Sequence, residues 1–475
     1  MTTIKGPTLT DAKGMGGVIA QEGFEYQVWD ALIRLPAWLR NPSFEGLVVE
    51  GLEDVEARFF APHAPRGHLL DRFQSKSGVL DRAEIIKVLE SFRTFETAHP
   101  EAACVQTLVT PVLPPKLNWL ARDTERVRRA RPFYAPFTDI RDASDEKLRL
   151  DFVAEFGSDL GNFFARAIDV SIRPVMNRQT TEAAFSHALQ QNFPHMDVSM
   201  RKVSEAFAEL NDLVAKARGS MLSRLQLLDT LHTKLDVDLV PNLHVLPVHV
   251  RSDRNEVAVD AVEINASSFS GGPLGHSETD RWHVELISPL VATATWARKH
   301  GFARVSLSGS YRLSTAFALG WAFRSAIGFE IDIPTKTGAW ATDAHPAPSG
   351  SALPWSILQP NSLAGDRLVV GVGILRDPAP DILKQWALTD GQGLLLAFLP
   401  QALTNGVEAQ ASVRALKAAI GETVARLRPT QIDLCYAGPA TFAVALGHRW
   451  NALPLTRLYE FFAADGSYNP TVMIN

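Results

Sequence analysis

A chain of 475 residues, 46% hydrophobic and 21% charged, is composed like an ordinary globular protein with two or three domains, which excludes a disordered or fibrous polypeptide. The formal net charge of −5 confines any nucleic-acid surface to a local patch. No apolar run reaches the ~20 residues of a membrane helix, the start MTTIKGPTLTDAKGMGG is too polar for a secretory leader, and two cysteines, Cys104 and Cys435, make no disulfide framework, so a cytoplasmic protein with no membrane partner is expected.

Residues 1–14 read as a loose arm. Gly16-Gly17 then open a helix over 18–35, with Ile19, Phe24, Val28, Leu32 and Leu35 at helical spacing, and Pro36 and Asn41-Pro42 are expected to end it. A strand follows at 47–52, a hairpin arm at 55–61 and a further strand at 68–75. An amphipathic helix over 82–97 turns Ile85, Ile86, Leu89 and Phe92 inward, and 104–110 is another strand. The order is helix, three strands, helix, strand, which brings acids on neighbouring strands together.

Glu50 and Asp54 sit around the first strand and its turn, and Gln74-Ser75-Lys76 ends the strand twenty residues further on. Alternate strand residues share a face, so Gln74 and Lys76 point one way and Ser75 the other. With that strand beside Asp54, a carboxylate, an amide oxygen and an ammonium converge. Such a set suits one Mg²⁺, a hard cation that takes oxygen ligands and keeps several waters. It would activate a water and neutralise charge on a phosphate, with Lys76 stabilising the attacking oxygen. A Q-x-K triplet by itself is equally consistent with an exposed hairpin face.

The series G-F-E-Y-Q at 23–27, E-x-x-E-D-V at 50–55 and Q-S-K at 74–76 resembles the PD-(D/E)xK nuclease superfamily, and more narrowly the DNA endonuclease domain of CBASS anti-phage effectors. That resemblance implies a restriction-endonuclease-like αβββαβ core at 16–112 within an endonuclease domain at 1–240. Asp54 takes the place of the first acid and Lys76 that of the lysine. Gln74 replaces the usual Asp or Glu and brings no charge, which Glu50 would supply. Gln27 occupies the position of a supporting helix residue, with Glu25 as a rival. Metal ligands are then Asp54, Gln74 and Glu50.

Between Lys116 and Arg131 six basic residues face only Asp123 and Glu125. Phosphate contacts need such a cluster. Arg122, Arg126, Arg128 and Arg129 are candidates for duplex DNA, with Trp119 available for stacking; a solvated helix face is the alternative. Residues 145–240 read as helices throughout, a bundle added to the core. Composition shifts after Pro241 to short strands, and His244, His249, His276 and His283 match no zinc-ligand spacing.

The C-terminal part is duplicated. RVSLSGSYRLSTAFALG at 304–320 aligns without a gap on QIDLCYAGPATFAVALG at 431–447, setting Leu307 on Leu434, Ser314 on Thr441, Ala318 on Ala445 and Gly320 on Gly447. Each copy is strand, small-residue turn and helix. A further strand follows (329–333; 456–462) and a helix precedes (288–300; 411–427). This predicts two Rossmann-like halves, whose ligands sit beyond the carboxyl ends of strands where helix N-termini meet phosphate. Two such turns suit a ring carrying several phosphates. Gly371 and Gly373 are followed by Arg376 in place of a third glycine, which argues against a dinucleotide enzyme.

G-S-Y-R-L-S-T-A-F-A-L-G in the first copy and Y-x-G-P in the second resemble a SAVED domain, a fusion of two CARF-like units that bind cyclic oligonucleotides. The resemblance places that domain at 241–475, with halves at about 281–345 and 366–475. It implies that Ser308, Gly309, Ser310, Arg312 and Ser314 hold ligand on one side and Tyr436, Gly438, Pro439 and Thr441 on the other, with Trp340 stacking on a base. The alternative is that Arg312 pairs with a core acid and Trp340 is buried. The reading of the whole chain is an α/β, Mg²⁺-dependent double-stranded DNA endonuclease of anti-phage defence. A cyclic trinucleotide activates it and drives self-association. A cyclic-nucleotide sensor or scaffold with an inactive nuclease domain is the alternative.

Overall fold

The computed structural model describes residues 12–51, 54–130, 138–240, 242–252, 260–269, 279–335, 338–342, 352–359, 366–386, 392–463 and 466–475. The chain separates into two compact units, Met1–Pro241 and Asn242–Asn475. Among the described residues no helix is long and apolar enough to cross a membrane.

The first unit runs α1 (Ala12–Arg40), β1 (Phe44–Val49), β2 (Val55–Phe60), β3 (His68–Ser75), α2 (Arg82–Ala98) and β4 (Ala103–Thr110). It continues with α3 (Asn118–Ala130), α4 (Thr138–Phe156), α5 (Ser158–Ala167), β5 (Ile168–Ile172), α6 (Arg178–Asn192), α7 (Met200–Lys216), β6 (Leu222–Ser223) and α8 (Arg224–Leu235). Its described strands form one sheet of order β5-β4-β3-β2-β1-β6. β1, β2 and β3 pair antiparallel, and β4 and β5 add parallel.

Two expectations fail here for reasons of packing. α1 does not end at Pro36 but passes through it. Proline removes one intrahelical bond, yet Leu32, Leu35, Trp38 and Leu39 are all buried around it, with Trp38 against Phe44 and Phe73. Burial of one helix face outweighs the lost bond. The stretch 145–240 is not wholly helical either: β5 extends the sheet beside β4, and β6 pairs with β1. The helices around it do form a core. Leu89 and Phe92 of α2, Leu108 of β4, Leu120 of α3, Phe152 of α4 and Phe164 of α5 share one cluster. α2 starts at a capping box in which Asp81 and Glu84 each accept from the other's backbone N–H.

The second unit holds two sheets. The first comprises β7 (Val245–Arg251), β8 (Val262–Asn265), β9 (Arg304–Gly309), β10 (Glu330–Thr335) and β11 (Gly338–Ala341), with helices α9 (Thr279–Trp282), α10 (Ser288–Lys299) and α11 (Leu313–Ala322) between strands. The second comprises β12 (Ser356–Leu358), β13 (Arg367–Ile374), β14 (Gln392–Leu399), β15 (Gln431–Ala437), β16 (Leu455–Phe462) and β17 (Ser467–Ile474), with α12 (Ala379–Gln385), α13 (Gly406–Leu427) and α14 (Ala440–His448). Strand orders are β11-β10-β9-β7-β8 and β12-β14-β13-β15-β16-β17. Setting β8, β7, β9, β10 and β11 on β14, β13, β15, β16 and β17 superposes order and polarity, four parallel strands and an antiparallel edge in each. The first half therefore begins at Val245. The expected 281–345 omits two strands without which its sheet is incomplete.

The halves meet along α11 and α14. A Cβ on Gly320 would overlap the Val444 carbonyl, and one on Gly447 would overlap that of Phe317. The two glycines are the pair that the repeat aligns, so the helices cross at backbone contact about a local twofold.

Candidate functional site

In the first unit, the antiparallel pairing of β2 with β3 sets Val55 on Phe73 and so carries Asp54 to Gln74 at the strand ends. Gln74 Nε2 donates to Asp54 Oδ2 at 2.7 Å, and the Ser75 backbone N–H donates to the same oxygen at 2.6 Å. Burial pushes the Asp54 carboxyl above its ordinary range. The Ser75 N–H, the Lys76 ammonium and the Gln74 amide oppose that rise, and the Glu50 charge adds to it. Lys76 is half-buried, fixed by its N–H to the Val109 carbonyl at 2.8 Å. Thus Asp54, Gln74 and Lys76 come together. For both side chains to ligate one cation, the Gln74 amide must turn over, so that oxygen and not nitrogen faces Asp54.

Glu50 stands at a positive φ of 54° and donates its N–H to the Asp54 carbonyl at 2.8 Å, closing the β1–β2 turn. Its carboxylate is ion-paired with Arg218 Nε, from the segment between α7 and β6. Among the described residues, this carboxylate has no hydrogen bond to the side chain of Asp54 or Gln74. Arg218 escaped the sequence reading because 168 positions separate it from Glu50. Of the two α1 candidates, Glu25 accepts from Gln21 at 3.1 Å. Gln27 instead buries its Oε1 with no hydrogen-bond partner among the described residues. It shares a helix face with Gly23, where a Cβ would lie 4.0 Å from Ser77 Oγ, just beyond β3. The Asp54 carboxylate and the Gln74 amide oxygen, once turned, are the oxygen donors a divalent cation takes, and Gln27 Oε1 on α1 is a buried amide oxygen that lacks a donor. No group of three His, Cys, Asp or Glu side chains suited to a metal occurs among the described residues.

On α3, Arg126 is exposed, while Arg122 is engaged by Asp123 at 2.7 and 3.0 Å. The side chains of Arg128 and Arg129 lie outside the described residues. Trp119 is not a free stacking platform, because it packs on Phe152 with ring centres 5.3 Å apart.

In the second unit a cavity of about 410 Å³ opens between the two repeated turns. Tyr311, Arg312 and Leu313 line it from the first turn, and Tyr436, Ala437 and Gly438 from the second. Ile374 at the end of β13 and Arg376 just beyond it, with Glu460 and Phe461 of β16, complete the wall. Of the expected ligand residues, Arg312, Tyr436 and Gly438 are there. A Cβ on Gly438 would press on the Tyr436 hydroxyl at 2.6 Å, and that hydroxyl donates to the Pro439 carbonyl at 2.8 Å.

The rest of the expected set lies elsewhere. Ser314 is buried: its hydroxyl bonds Thr471 Oγ1 at 2.7 Å and its N–H donates to Glu460 Oε1 at 2.7 Å, leaving it nothing to offer a phosphate. Arg312 donates through Nε to Glu460 Oε2 at 2.8 Å, so it does pair with a core acid and still faces the cavity. Trp340, in edge strand β11, stacks its Cβ and ring against Gly406 at the start of α13 and takes no part in the cavity wall. Pro439 and Thr441, flanking the start of α14, are likewise outside it. Ser308, Gly309 and Ser310 are exposed at the end of β9, next to β7. There Ser308 Oγ meets His249 Nδ1 at 3.0 Å and the Ser252 hydroxyl donates to the Ser310 carbonyl. Gly309 has φ +88° and no room for a side chain against Val250. Tyr311, Arg376, Glu460 and Phe461 went unassigned, Arg376 having drawn notice only for spoiling a glycine pattern. Its guanidinium lies 4.3 Å over the Phe461 ring and bonds Asp381 at 2.9 Å.

Residues 287–474, which supply both turns of this cavity, match the model of SAVED, the SMODS-associated and fused to various effectors sensor domain. The chain contains a SAVED domain. Beyond that domain the likeness spans the whole chain. CD-NTase-associated protein 4 from Acinetobacter sp. is 23% identical over 98% of this chain and 99% of its own length, and that from Moraxella osloensis 22% over the same shares. The chain is thus a homologue of these proteins. Among solved structures, the Acinetobacter baumannii Cap4 SAVED/CARF-domain containing receptor with the cyclic trinucleotide 2′3′3′-cAAA superposes with a TM-score of 0.78 at 19% identity, over 95% of this chain and 98% of that one. The Moraxella osloensis receptor gives 0.72 at 20% identity, over 96% and 100%. These likenesses show the fold, a mixed α/β chain whose SAVED unit carries the Rossmann-like sheets.

Proposed function

We propose that this chain is a DNA endonuclease of CBASS anti-phage defence, held inactive until a cyclic trinucleotide occupies the cleft between the two SAVED turns. The N-terminal unit is read as a restriction-endonuclease-like core, with its αβββαβ order at α1 to β4. The observation that carries the reading is the meeting of Asp54, Gln74 and Lys76 at the ends of β2 and β3. A chain-long likeness to CD-NTase-associated protein 4 supports it, as does the cyclic trinucleotide in the Acinetobacter baumannii receptor.

Asp54 and Gln74 would hold Mg²⁺, with Glu50 adding charge and Gln27 supporting from α1. When bound, the ion would lower the pKa of a water and neutralise charge growing on the phosphate. Ser75 holds the Asp54 carboxylate in one orientation through its backbone N–H. Lys76 presents a fixed positive charge to the phosphate oxygens, and the arginines of α3 would track the duplex backbone. In the other unit Arg312 and Arg376 face the phosphates, while Tyr311 and Phe461 offer flat surfaces to bases. Ligand can open such a gate only by binding the assembled, active state more tightly than the resting one, so self-association on ligand binding is part of the reading.

A sensor or scaffold with a dead nuclease site is favoured by one observation, the neutral Gln74 in a place that has no third acid among the described residues. Cleavage decides. Purified chain should leave duplex DNA intact with either Mg²⁺ or cyclic trinucleotide, and degrade it with both. Cutting without ligand overturns the gate, and no cutting under any condition favours the sensor. Lys76→Ala should abolish cutting while the ligand still raises the melting temperature; loss of both would make Lys76 a structural residue.

A further inference from the structure

Arg218 stands 168 residues from Glu50 in sequence, yet its Nε is paired with that carboxylate. Two further contacts hold the segment there, and a third observation shows how closely it runs. The guanidinium lies 4.7 Å from the centre of the Phe24 ring on α1, and the neighbouring Gly219 N–H donates to the Val49 carbonyl at 2.8 Å. A Cβ on Gly219 would lie 3.7 Å from the Glu50 carbonyl oxygen. The segment between α7 and β6 is thereby pinned along the β1 turn, with its cation directed at the acid nearest the Asp54 site.

Charge counting gives this contact a consequence. Asp54 and Glu50 contribute two negative charges, and Lys76 and Arg218 two positive ones. The amides of Gln74 and Gln27 contribute none. An oxygen site with no net charge attracts a divalent cation weakly, whereas one that borrows a phosphate gains charge and ligands together. We propose that Arg218 neutralises Glu50 so that the divalent cation enters the site together with a substrate phosphate and not ahead of it. The inference rests on reading Asp54 and Gln74 as metal ligands and adds a positioning residue to that site. Arg218 and Glu50 have side-chain exposures of 58% and 27%, so the pair is reachable by solvent and its effect is screened by salt.

The test measures metal directly, without reference to cleavage. Mn²⁺ is titrated into the full-length, DNA-free protein at low salt and followed by its electron paramagnetic resonance signal. Arg218→Gln should bind Mn²⁺ roughly tenfold more tightly than the parent, the effect of exposing one unit charge near a divalent ion in a partly solvated site. Arg218→Lys, which keeps the charge, should stay near the parent value, and adding Glu50→Gln to Arg218→Gln should return the affinity to it. A folded Arg218→Gln protein with unchanged or weaker Mn²⁺ binding overturns the proposal. Should that variant fail to fold, the parent protein still decides. A nuclease-resistant duplex must tighten its Mn²⁺ binding by at least about tenfold, and equal affinity with and without duplex overturns the coupling. Absence of Mn²⁺ binding in every case removes the metal site itself, and this inference with it.

Discussion

Replacing Glu460 by alanine should destabilise the SAVED unit by about 4–6 kcal/mol. The side chain is 4% exposed and accepts from Arg312 Nε at 2.8 Å and from the Ser314 N–H at 2.7 Å. Breaking a buried ion pair by removing one partner costs ~3–5 kcal/mol when the other charge stays buried. Arg312 is 29% exposed and recovers part of its hydration, which places that component near the lower end. The orphaned N–H in the first turn of α11 adds ~1–3 kcal/mol. For a unit of this size each kcal/mol lowers the melting temperature by ~2–4 °C, so a fall of roughly 10 °C or more is expected. Differential scanning fluorimetry of the full chain reads this, with Lys76→Ala as a variant that leaves the SAVED unit untouched. Ligand should also lose most of its stabilising effect, because Arg312 is no longer held at the cavity wall. A Glu460→Ala protein melting within about 2 °C of the parent would refute the idea that this carboxylate fastens the first turn.

Gly320→Ala and Gly447→Ala should each cost about 1–3 kcal/mol or more through overpacking at the α11–α14 crossing. Gly421→Ala, in α13 with open space around it, should instead stabilise by up to ~1 kcal/mol. Asp71 gives a pH test: burial raises its carboxyl to about 6, the Asp169 charge adds to this and Arg34 opposes it. Because the folded value lies above the unfolded one, the stability Asp71 contributes is complete below about pH 4 and is lost as pH rises through about 6. Asp71→Asn should flatten that slope in equilibrium unfolding followed across pH 4–7, and an unchanged slope would remove Asp71 as its source. Cleavage should fail with falling pH sooner than an ordinary carboxylate predicts, since Asp54 is also raised and must be ionised to hold a cation.

Local patterns carried much of this into the sequence. The strand carrying Gln74 and the register of the two turns at Leu307 and Leu434 rest on short-range periodicity, which reads directly. Gly320 and Gly447 stood out as aligned positions, although only the crossing of α11 and α14 explains why neither tolerates a Cβ. What stayed hidden depends on distant partners. Glu460 was one acid in a hydrophobic strand, and nothing near it announced a contact with Arg312 148 residues earlier. β5 lay inside helical text because five residues at a sheet edge carry too little periodicity to resist their neighbours. β7 and β8 were seen as strands but not as members of the repeat. Their counterparts β13 and β14 share topology with them, and side chains on buried parallel strands are interchangeable enough to erase likeness.

The glycine crossing of α11 and α14 has a consequence for selectivity. Side chains at a helix interface can repack and let one half slide on the other, but two backbones already in contact have no such slack. The distance between Arg312 on one lip and Gly438 on the other is therefore set by main chain. If cyclic oligonucleotides enter there, as proposed, a mouth of fixed gauge would sort rings by circumference before any base is read.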